Sequence, residues 1–139
     1  MNGPCASRNL GARTILLLWL AAGANAAVAW AGEPVILQPG ADGVQRATII
    51  LDSYSYSPDH IVVQAGKPVE LTLTSVTTIT PHNFIIQELA VEQDTGAGKT
   101  ATVRFTPMQP GTYQIYCDKK LPFFPSHREK GMEGRLEVR

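Results

Sequence analysis

Four side chains in this 139-residue chain are of types that soft metal ions bind: His82, Cys117, His127 and Met132. His82 stands alone, directly after Pro81. The other three follow one another near the end of the chain. Nine residues separate Cys117 from His127, and four separate His127 from Met132. Thiolate and thioether suit Cu(I), whereas imidazole suits both copper oxidation states. Two histidines and a cysteine in a trigonal plane, with a weak axial methionine, form an electron-transfer copper site of the blue type. Zinc is disfavoured, because methionine is a poor ligand for it.

Each residue also has an ordinary reading. His82 is compatible with a plain loop histidine, and His127, between Ser126 and Arg128, with a solvated one. Cys117 and Met132 are compatible with core packing, where free cysteine and methionine are common. The four stand out by their joint order: one early histidine, then Cys, His and Met on a single late loop. His60 follows a Ser-Pro-Asp turn, has no thiol or thioether near it in sequence, and reads as a surface residue.

The cysteine count depends on the leader. Met1 to Arg13 carries Arg8 and Arg13 and no acid, an apolar run from Thr14 to Ala22 follows, and Ala24-Asn25-Ala26 fits the small-residue cleavage rule. Residues 1–26 therefore read as a secretory signal peptide, with cleavage possible as late as residue 31. The apolar run is short for a membrane span, which needs about 20 residues. Cys5 leaves with the leader, so Cys117 is a lone cysteine in an exported chain. It is a dimer bridge, an inert buried thiol or a functional thiolate. Removing Arg8 and Arg13 also leaves a small acidic excess and no basic patch for nucleic acid. No membrane contact is expected after cleavage, and the remaining chain is expected to be one monomeric domain.

The elements that would position these residues read as short strands. Residues 32–45, with Pro34, Pro39, Gly40 and Gly43, read as an irregular arm, and residues 46–139 as the domain. Strands are expected at 47–52, 54–56, 60–64, 69–74, 83–87, 100–105, 112–117 and 134–138. The segment 88–94 is open between strand and loop. Val69-Glu70-Leu71-Thr72-Leu73-Thr74 alternates at period 2, the mark of a half-buried strand. Pro- and Gly-rich turns join these runs, the pattern of an all-β sandwich. The segment 118–131 is a long connection, and such loops in compact domains are usually functional or disordered.

At its ligand segments the chain resembles the cupredoxins. Gly111-Thr-Tyr-Gln-Ile-Tyr-Cys117 is similar to that family's strand into the copper cysteine, and Pro81-His82-Asn83-Phe84 to its first-histidine segment. The resemblance covers about residues 48–139 and implies an all-β Greek-key β-sandwich. It also implies one type-1 copper ion held by His82, Cys117, His127 and Met132. The amide of Asn83 is expected to donate to the cysteine sulfur. The Cys-to-His spacing is longer than in plastocyanin or azurin.

The function implied is one-electron transport outside the cytoplasm, in the periplasm or beyond, with a redox partner protein. The alternative is copper tolerance or copper handling by sequestering, oxidising or delivering the ion. Phe123 and Phe124 would form part of an apolar docking collar near His127, and Lys119, Lys120, Arg128 and Lys130 are candidate steering charges. The same residues also suit a packed, solvated loop. An enzyme is not expected. A Cys117–His127 nucleophile pair has no local signature and leaves Met132 without a role. Nitrite reductase chemistry needs a second copper site, for which three histidines are too few.

Overall fold

The computed structural model describes residues 32–139; the signal peptide expected at residues 1–26 lies outside them. The described chain is nearly all β. Its strands are β1 (Val35–Ile36), β2 (Gln45–Asp52), β3 (Ser55–Ser57), β4 (His60–Val63), β5 (Val69–Ser75), β6 (His82–Ile86), β7 (Val91–Thr95), β8 (Thr100–Phe105), β9 (Gly111–Tyr116) and β10 (Glu133–Val138). One 3-10 turn, Gln87–Leu89, leads into β7. Among the described residues no helix is long and apolar enough to cross a membrane.

The strands form two sheets. One has the order β1-β4-β10-β9-β6-β7 and the other β3-β2-β5-β8. Both mix parallel and antiparallel pairs: β2 runs parallel to β5 and β10 parallel to β4, while β9 runs antiparallel to β10 and to β6. Sequential strands thus cross between the two sheets, giving the Greek-key sandwich expected from the sequence.

Period-2 patterning decides which face turns inward. On β5, Val69, Leu71 and Leu73 are buried, while Glu70, Thr72 and Thr74 lie toward solvent. They meet Ile61, Val63, Phe84, Ile86, Ile115 and Leu136 from the facing sheet in one core. Burying a Leu or Ile side chain contributes about 1.5–3 kcal/mol, so this core supplies most of the driving force. The outer face of the smaller sheet is laced by charges. Glu70 bridges Arg46 at 3.2 Å and Arg104 at 2.6 Å.

Two expectations need correction. The arm is not wholly irregular: Val35 and Ile36 pair in parallel with Ile61 and Val62, and Leu37 enters the core. Gln45 is fully buried, and its amide side chain bonds both the N–H and the C=O of Gln64, at 2.7 and 3.2 Å. The arm's prolines and glycines mask an edge strand too short to show a period. His60 is not on the surface. It lies on β4, which is flanked by β1 and β10, and it is only 4% exposed. Its Nδ1 accepts from the Arg135 guanidinium at 3.0 Å, and its Nε2 lies 3.3 Å from the Glu137 carboxylate. A turn signal before a histidine says nothing about which strands later cover it.

The open segment 88–94 resolves into the 3-10 turn and the edge strand β7. A left-handed Ala90 (φ 52°) joins them.

Candidate metal centre

Strand pairing gathers the candidate residues at one end of the sandwich. Cys117 follows β9 and Met132 precedes β10. The β9–β10 register ends on Tyr116 opposite Glu133, so the two residues just beyond face each other. The Cys117 N–H donates to the Met132 carbonyl at 3.2 Å. His82 opens β6, which pairs with β9 through Ile85 and Tyr116. His127 comes from the loop between β9 and β10. Its N–H donates to the Lys119 carbonyl at 2.8 Å, and its carbonyl accepts from Met132 N–H at 2.9 Å. Three of the candidate residues, Cys117, Met132 and His127, are thus tied to one another through main chain.

The side chains converge. One donor atom each from His82, Cys117 and His127 lies within 4.8 Å of the others. The Cys117 sulfur is 3.4 Å from Nδ1 of His127, and the two imidazole centroids are 5.1 Å apart. His82, Cys117 and Met132 are fully buried and His127 nearly so. Cys117 is an unpaired thiol. The amide of Asn83 donates to its sulfur at 3.5 Å.

Asn83 also clasps the residue after the cysteine. Its Nδ2 donates to the Asp118 carboxylate at 2.7 Å, and its Oδ1 accepts from Asp118 N–H at 3.1 Å. This reciprocal pair locks the start of β6 to the end of β9. No motif or spacing in the chain marks Asp118 for this role.

Electrostatics follow from burial. Desolvation lowers the His82 pKa to about 4, with the neighbouring His127 adding to the shift and Asp52 opposing it. Desolvation, then Lys130, lowers His127. Both rings are therefore neutral at pH 7 and able to act as ligands. Burial raises the Cys117 thiol, against the backbone amides of Asn83 and Lys119, which favour the thiolate. Without a cation the thiol stays protonated at neutral pH.

The donor set fits a soft cation. Nδ1 of His82 is buried with no hydrogen-bond partner among the described residues, a costly arrangement for a polar atom unless something binds it. A sulfur and a nitrogen 3.4 Å apart suit two bonds of about 2.0–2.3 Å to one ion.

The loop also shapes the surface beside His127. An open cleft of about 320 Å³ is lined by Tyr54, Ile79, Pro81, Leu121, Phe124 and His127, among others. Phe123 and Phe124 stand out in solvent, Phe123 with a left-handed backbone (φ 66°). The loop cations are not equivalent. Lys119 pairs with Asp94 at 2.6 Å, and Lys130 reaches the Tyr54 hydroxyl at 3.0 Å. Arg128 stacks on Tyr116 and bridges Glu133, away from the cleft. Tyr54, another left-handed residue (φ 63°), sets its ring edge-on to His127 with centroids 5.1 Å apart. Nothing in its sequence position signalled that contact.

Two imidazoles and a thiol gathered at one end of a Greek-key sandwich make a candidate metal site on a β-sandwich. Comparison with known proteins places it more closely. The profile of the cupredoxin-like domain family matches residues 12–132, and the chain belongs to that family, whose members bind copper. Cytochrome c oxidase subunit 2 of Thermus thermophilus is 28% identical over 71 residues, which is 51% of this chain and 51% of that protein. The chain thus spans about half the length of the curated relatives it matches.

Among solved structures, the metal-binding domain of the Cu(I)-exporting P-type ATPase CopA of Streptococcus pneumoniae D39, with Cu(I), superposes with a TM-score of 0.63 at 24% identity. The match covers 77% of this chain and 96% of that one. Reduced auracyanin of Roseiflexus castenholzii gives 0.57 at 21% identity, covering 72% and 99%. At these identities the likeness is one of fold.

Proposed function

We propose that the protein is an exported, mononuclear type-1 copper protein that acts as a one-electron carrier. The observation that carries this reading is the buried convergence of two imidazoles and one thiol, with an unpartnered Nδ1 on His82. When bound, copper supplies one-electron cycling between Cu(I) and Cu(II). His82, Cys117 and His127 would hold it, with Met132 as a weak fourth ligand. The chain's part is to keep these side chains still. Main-chain hydrogen bonds join Cys117 to Met132 and Met132 to His127, so the donor set keeps its place when charge changes. Asn83 N–H steadies the sulfur. No bond of a substrate is made or broken, so the protein is not an enzyme on this reading. With residues 1–26 as signal peptide it works in the periplasm or beyond.

A redox partner protein would dock over Phe123 and Phe124, beside the cleft that His127 helps to line. Copper handling uses the same ligands. The burial of all three donors favours the carrier: an electron can leave across the edge of His127, whereas an ion leaves only if the loop opens. Repeated electrochemical reduction and reoxidation, followed by desalting and copper analysis, tests this. A carrier keeps one copper per chain in both states. Loss of the ion to a mild Cu(I) chelator on each reduction would overturn it in favour of handling.

A further inference from the structure

His82 has two ring nitrogens, and only an unprotonated one can bind a metal. The ring itself does not choose between its neutral tautomers; its hydrogen bonds do. In the β5–β6 connection, Nε2 of His82 lies 3.4 Å from Oγ1 of Thr77. That hydroxyl has one proton, and it is committed: Oγ1 donates to the Thr80 carbonyl at 2.6 Å. Toward His82 it can therefore only accept, so Nε2 must carry the ring proton. Nδ1 is left with its lone pair, buried and without a partner among the described residues.

The second acceptor position of Thr77 Oγ1 is filled by the hydroxyl of buried Ser75, at 3.0 Å. The acceptor is thus saturated in a fixed direction. It is also anchored at its base. Ser75 N–H donates to the Lys99 carbonyl at 2.9 Å, and Val76 N–H to the Leu51 carbonyl at 3.0 Å. The segment that holds Thr77 is tied to the smaller sheet before it crosses to β6.

We propose that Thr77 is the positioning residue for His82: its hydroxyl sets the ring's tautomer and plane and so presents Nδ1 to the ion. Ser75 orients that hydroxyl. The inference rests on the reading of His82 as a ligand, but the tautomer itself is a property of the metal-free protein. A hydrogen-bonded partner on the far nitrogen of a ligating histidine is typically worth about 10–100-fold in metal affinity.

The test has two arms on the whole mature protein. The first is long-range ¹H–¹⁵N correlation of the His82 ring without metal at neutral pH. Wild type is expected to show the Nε2–H tautomer. Thr77→Val, which keeps shape and loses the hydroxyl, is expected to give a tautomer mixture, and Thr77→Ser to restore wild-type shifts. An Nδ1–H ring in wild type, or unchanged shifts in Thr77→Val, overturns the proposal.

The second arm is Cu(II) affinity by competition with a chelator. Thr77→Val is expected to lose about 10–100-fold and Thr77→Ser little. Equal affinity in all three overturns it. If wild type binds no copper, the functional reading fails, and the ring spectra alone decide the role of Thr77.

Discussion

Cys117 illustrates how little one residue decides alone. As a lone cysteine it reads equally as a bridge, a packed thiol or a ligand; its position just past the end of β9 and the partners beside it separate these. Its sulfur faces an imidazole nitrogen and accepts an amide proton from Asn83. The ligand candidates were legible because their types are rare in this chain and their order is unusual. The residues that hold them were not. Thr77, Asp118 and Tyr54 are common polar or aromatic types, and only the fold brings them to His82, Asn83 and His127.

Two predictions belong at the residue scale. Met132→Leu should keep copper bound and shift its reduction potential, measured by voltammetry; an unchanged potential removes Met132 from the site. Asn83→Ala breaks the clasp with Asp118 while keeping the backbone amide. It should cost the metal-free protein about 1–3 kcal/mol in urea unfolding, because it removes two hydrogen bonds that tie β6 to the end of β9, one of them to a carboxylate.

At the scale of elements, strands with a clear alternation were read almost to the residue, as in β5 and β8. Elements failed to show where tertiary covering, not pattern, makes them. β1 has two residues, too few for a period, and exists because β4 offers it an edge. β4 is legible as a strand at 60–64, but it is buried on both faces and lacks an alternation, so nothing in its pattern marks His60 as covered. The close passage of β10 past β4 yields a prediction. A Cβ on Gly134 would come within 2.6 Å of the Asp59 carbonyl oxygen, a backbone atom that cannot swing aside. Gly134→Ala should destabilise the domain by about 1–3 kcal/mol, typical of overpacking, seen as a lower denaturation midpoint at constant slope.

For the whole molecule, the site and the fold share a pH dependence. His82 is pushed to about 4 in the folded state against 6.5 ordinarily. As pH falls below 6.5 the unfolded chain takes up a proton that the folded chain refuses until about pH 4. Metal-free stability should therefore be full above pH 6.5 and decline between there and pH 4, with the lowered His127 acting in the same direction. Thermal unfolding across that range checks it; a flat profile would mean that neither ring is held neutral. Copper uptake depends on pH in the same sense, through the thiol. Burial holds Cys117 protonated, so binding must release its proton, and affinity should rise with pH through neutrality.

On the proposed function, His82, Cys117 and His127 grip one copper ion. Titrating the mature protein with Cu(II) under visible and EPR detection tests it most directly, with Cys117→Ser as the control. An intense visible band from thiolate-to-copper charge transfer is expected, saturating at one equivalent and absent in Cys117→Ser. No band in the wild type, or the same band in the serine variant, would contradict it.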